Sequence, residues 1–134
     1  MTQAIIYKNS NGGVSVCIPT GEIPIEQVQE KDTPAGSLVV DVSSLPNENN
    51  DFFDAWELVD GKIEISLSKA KEITKSRLRI ERESLLLAQD IAFQRALEAG
   101  ADTSSIVAEK VRLRDITSLA DAETTLEGLR AIKV

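Results

Sequence analysis

Residues Lys69 to Ala99 contain neither Pro nor Gly, and their apolar positions recur with a helical period. Ser66 or Ser68 can cap the start of such a helix, and Gly100 can close it. About 31 residues at ~1.5 Å each make a rod of about 46 Å. A compact domain of 134 residues has a radius of gyration of about 14 Å, hence a diameter of about 36 Å. The rod is therefore longer than the globule it belongs to. Ala70, Ile73, Ile80, Leu87 and Ile91 fall on one stripe, and Leu78, Leu85 and Ala92 on an adjacent one. Between Leu85 and Leu97 apolar residues lie almost all round the helix. One returning helix cannot cover them all. Either a neighbouring chain does so, in an oligomer or a partner-bound helical hairpin, or the rod kinks near Glu83-Ser84 and packs as two shorter helices.

After Gly100, Asp102 to Ser105 offer caps for a second helix over Ile106–Leu119, and a short third helix is expected over Thr125–Ile132. The first half of the chain reads differently. Ala4–Lys8 and Val14–Ile18 flank Asn-Ser-Asn-Gly-Gly and form a predicted β-hairpin. Pro24–Glu30 suits a short helix. Leu38–Val42 is a third strand, and Ser43–Asp51, rich in Ser, Asn and Pro, reads as loop. Ala55–Val59 and Lys62–Ser66 flank Asp60-Gly61, a strong hairpin signal, with Trp56, Leu58, Ile63 and Ile65 sharing one face. The expected fold class is α+β: an N-terminal antiparallel β-rich part, residues 1–66, followed by a long-helix C-terminal helical hairpin, residues 67–134. The two parts are expected to fold as one cooperative domain. Charge changes at the same seam. Residues 1–66 hold three basic against eleven acidic residues, whereas residues 67–134 hold twelve against eleven.

Composition removes several chemistries. The chain has no His and one Cys. It therefore lacks the usual general base, an ordinary zinc site and any Ser–His–Asp or Cys–His arrangement. No cofactor and no metal are expected, and no catalytic residue can be named. Asp51, Asp54, Asp60 and Glu64 lack calcium-loop spacing and read as surface and turn carboxylates; they are the best candidates for a carboxylate-only enzyme. No window approaches 18 consecutive apolar residues, so no membrane span is expected, and MTQAIIYKN lacks the pattern of a signal peptide. Lys69, Lys71, Lys75, Arg77, Arg79 and Arg82 cluster at the start of the long helix. With a net charge of −7 and no interleaved aromatics, they read as a solvated, ion-paired face, and nucleic acid is not an expected partner. Cys17 reads as a small buried hydrophobe.

Phe52, Phe53 and Trp56 are three of the chain's five aromatics. They form either the place where the hairpin core meets the long helix or an interface anchor. With Leu85, Leu86, Phe93 and Leu97 they are the candidate interaction residues.

Asp-Ala-Trp-Glu-Leu followed by Asp-Gly-Lys, then Lys-Ala-Lys-Glu-Ile, Arg-Leu-Arg-Ile-Glu-Arg-Glu with the Leu85–Leu87 run, and Leu113-Arg114-Asp115-Ile116-Thr117 carry a family resemblance. This stretch, Phe53 to Thr117, resembles small bacteriophage tail-associated proteins and is similar to tail-fibre-assembly-like proteins. Unlike that pattern, the Leu run continues through Ala88-Gln89-Asp90 without a Thr-Asp-Trp-type element. The resemblance implies a non-enzymatic phage tail interaction protein, either a virion-associated tail or fibre-linked subunit or a factor in tail-fibre assembly. With the uncovered apolar surface of the long helix, the expected partner is a second copy of the chain, in a homo-oligomer, or a phage tail or fibre protein. The setting implied is the virion tail, or the host cytoplasm during assembly. A phage regulator or host-takeover protein that binds a bacterial target is the alternative.

Overall fold

The computed structural model describes residues 2–134. It is an α+β chain that divides into two compact units, Met1–Lys69 and Ala70–Val134.

In the first unit, β1 (Gln3–Lys8) pairs antiparallel with β2 (Val14–Cys17) and with β3 (Leu38–Asp41), giving the spatial order β2-β1-β3. The β1–β2 connection is fixed by one side chain. Asn9 Oδ1 accepts the N–H groups of Asn11 and Gly13, both at 3.0 Å, while Gly12 takes a positive φ of 80°. β1 is buried on both faces, with Ile5 and Ile6 both essentially inaccessible, as the central strand of three must be. α1 (Ile25–Asp32) starts after Pro24 and buries Val28; it stops at Thr33, the residue before Pro34. β4 (Trp56–Val59) and β5 (Lys62–Ile65) form a separate two-stranded ribbon. Its two-residue turn has Asp60 at φ 50° and Gly61 at φ 78°, the left-handed pair that matches the twist of a hairpin. The register sets Trp56 opposite Ile65 and Leu58 opposite Ile63. That face joins Ile6, Val14, Leu45 and Val40 in one apolar cluster. The opposite face sets Glu57 against Glu64. Lys69, 3.0 Å from Glu57, offsets that like-charge pairing.

Ser43–Asp51 is not plain loop. Short 3-10 segments occupy Val42–Ser44 and Asn47–Ala55. The Asp41 carboxylate accepts the Ser43 N–H, which holds the Asp41 pKa below its ordinary value. The same pairing explains the missed element: Ser, Asn and Asp bond to nearby backbone groups and so favour tight single turns as readily as open loop. Cys17 is half-buried rather than fully buried.

α2 (Leu67–Ala99) is one unbroken helix of 33 residues, about 50 Å long at ~1.5 Å per residue. There is no kink at Glu83-Ser84. Ser66 Oγ accepts the Lys69 N–H at 3.3 Å. At the other end Gly100, φ 66°, donates to the Leu97 carbonyl while Ala101 donates to that of Ala96. This is a Schellman cap, as Gly100 allows. Because Ser66 and Lys69 belong with the β unit, the division falls at 69/70 rather than at the charge seam near 66.

The helix expected over Ile106–Leu119 is two helices, α3 (Ser104–Asp115) and α4 (Thr117–Ala122), parted at Ile116. Ile116 is buried and keeps helical angles. The break is made by i→i+3 bonding, with Leu119 N–H on the Ile116 carbonyl and Ser118 Oγ on that of Asp115. α5 (Leu126–Ala131) starts at Thr125, whose hydroxyl accepts the Gly128 N–H. The buried apolar residues of this unit are Ala70, Leu78, Leu113, Ile116, Ala120, Leu129 and Ile132.

Candidate functional site

The basic cluster on α2 is not a solvated face alone. Each of the three later helices ends on it. Arg82 donates to the carbonyls of Leu113 and Arg114 at the end of α3, at 3.1 and 2.7 Å. Lys71 donates to the Asp121 carbonyl at the end of α4. Arg77 donates to Leu129 and Ile132 at the end of α5, at 3.2 and 3.0 Å, and pairs with Glu81. A helix leaves its last carbonyls unpaired and carries partial negative charge there, so a cation is the favoured partner. Lys75 bridges the carboxylates of Asp121 and Glu72, and the Asp121 contact raises the Lys75 pKa. Sequence spacing alone could not show this, because the acceptors are backbone carbonyls.

At the far end of α2 a second set of contacts holds α3. Lys110 pairs with Asp90 at 2.6 Å and lies 5.0 Å from the centre of the Phe93 ring. The Asp102 carboxylate, before α3, accepts the Ser104 N–H and hydroxyl at 3.0 and 2.9 Å. Those bonds hold the Asp102 pKa below 3.8, and the Arg112 guanidinium likewise lowers that of Glu109. A depressed carboxyl stabilises the fold at pH values above its unfolded pKa, and that stabilisation is lost as pH falls through the folded value. The stability difference between the wild-type chain and Asp102→Asn is therefore expected to be constant above about pH 5 and to shrink below the ordinary carboxylate pKa. Urea midpoints measured from about pH 6 to about pH 2 check this; a difference that grew on acidification would contradict it.

These contacts sort the candidate interaction residues. Phe52 and Trp56 are interior, at 4% and 1% exposure, and Trp56 Nε1 donates to the Asn49 carbonyl. They serve the core of the β unit and present no surface. Phe53 is partly exposed, with its ring tilted against Trp56 at 4.8 Å. Leu86 and Phe93 are half-buried, Phe93 beneath Lys110. Leu85 and Leu97 are exposed.

Three further large apolar residues of α2 are exposed. Ile80, Leu87 and Ile91 are 73%, 61% and 45% accessible. At ~100° per residue they fall within about 40° of one another and about 130° from the Leu86–Phe93 face. They belong to the first stripe seen in the sequence but are missing from the interaction residues named there. The signal that separates the two faces is the position of Arg82 and Phe93, which marks the side that α3 covers. Val107 and Val111 are also exposed on α3.

Among the described residues, no helix is long and apolar enough to cross a membrane, and no group of three or more His, Cys, Asp or Glu could hold a metal ion. Asp54, Asp60 and Glu64 are exposed. Comparison with protein-family models, curated proteins and solved structures finds no match.

Proposed function

We propose that this chain is a non-enzymatic interaction protein of a bacteriophage tail. It acts either as a tail- or fibre-linked subunit of the virion or in fibre assembly. One observation carries the interaction role: a stripe of Ile80, Leu87 and Ile91 stands exposed on α2, away from the side that Arg82 and Phe93 give to α3. Burying a large apolar side chain stabilises by about 1.5–3 kcal/mol, so a few such contacts hold an assembly. The phage setting rests on the resemblance of Phe53 to Thr117 to tail-associated proteins.

Mass spectrometry of purified phage particles from the producing host tests the setting. Presence in the particle supports a structural subunit. Absence from the particle together with soluble, fibre-bound protein supports an assembly factor. Absence from both, with a bacterial protein bound instead, sinks the tail reading and favours a regulator that targets the host.

A further inference from the structure

Four residues of α2, Ile80, Glu83, Ser84 and Leu87, border an open hollow on one face of the helix. Their spacing of i, i+3, i+4 and i+7 is that of the hole which receives a single side chain from a facing helix. Ser84 is the smallest of the four side chains. One rim residue, Leu87, projects from the same face with 61% of its surface exposed. We propose that this face pairs with the same face of a second copy, the two α2 helices running antiparallel, with each Leu87 seated over the other's Ser84. The proposal deepens the interaction role above and rests on it only for its biological setting.

A two-fold axis makes the contact reciprocal, because knob and hole lie three residues apart on one face. The same register sets Ile80 opposite the second copy's Ile91, so the three exposed residues of each stripe are covered together. Charge favours this direction. Residues 70–82 hold five basic against two acidic residues, a balance of +3; residues 83–99 hold one against three, a balance of −2. Lys75 is paired with Asp121 and Asp90 with Lys110; setting those two aside leaves +2 and −1, still of opposite sign. Antiparallel pairing lays the positive half of each helix on the negative half of the other. Parallel pairing would stack the two positive halves on each other and set Ser84 against Ser84, leaving the hollow empty.

Sedimentation equilibrium of the purified chain should give twice 14.6 kDa. Leu87→Glu should weaken association about 100-fold or more, since each dimer loses two knobs, while helical circular dichroism is retained because the position is exposed. Direction is read by cross-linking in a Cys17→Ser background. Ile80→Cys and Ile91→Cys proteins, one carrying a mass tag, are mixed under mild oxidation. Antiparallel pairing gives the mixed disulfide. It cannot join Ile80→Cys to itself, because those positions lie about 16 Å apart along the axis, beyond disulfide reach. Same-residue disulfides would show parallel helices and overturn the proposal. So would a monomer at ~100 µM, a thousand-fold above a ~0.1 µM interface. Neither result touches particle association, so failure here and failure of the tail reading are told apart.

Discussion

Trp56→Ala is expected to cost about 3–5 kcal/mol, the range for truncating a large aromatic side chain in a packed core. Trp56 is 1% exposed, joins both sheets' apolar faces through Ile6, Val14 and Leu45, and donates its indole N–H to Asn49. A domain of ordinary stability has only about 5–15 kcal/mol in hand. Amide-exchange protection across β1–β5 should therefore fall by about 10²–10³ or more. Phe53→Ala is the contrast. Its ring leans on Trp56 from the outside, and its loss should cost about 1 kcal/mol. Equal effects of the two changes would contradict the division into one interior and one peripheral aromatic.

Arg77→Ala should cost about 2–3 kcal/mol. It removes a cation from the end of α5 and leaves the Leu129 and Ile132 carbonyls to find water. Arg77→Lys should recover only part of this, since one ammonium cannot reproduce a fork that holds two carbonyls and the Glu81 carboxylate. Urea unfolding of the three proteins at fixed salt measures the order. If 1 M salt erased the Arg77→Ala effect, the contact would be a screened surface pair rather than a cap.

Much of the fold could be read from residue patterns. α2 carries its limits in its own composition: Ser66 before it, Gly100 after it, and no Pro or Gly between. The Asp60-Gly61 hairpin and the shared face of Trp56, Leu58, Ile63 and Ile65 follow from turn chemistry and a period of two. What stayed hidden has a common cause. The 3-10 run over Asn47–Ala55, the break at Ile116 and the caps supplied by Arg77 and Arg82 all depend on where backbone carbonyls end up. A carbonyl has no residue identity, so no sequence pattern marks it. The proposed interaction face was half legible. Its stripe is periodic, but its outward direction becomes visible only once Lys110 and Phe93 show which side α3 takes.

The single Trp and the single Tyr both lie in the β unit, whereas the long helix and its three shorter companions fill the other. Indole fluorescence therefore reports melting of one unit, and the 222 nm ellipticity reports mostly the other. Two optical signals from the unlabelled chain can follow the two halves separately in one titration.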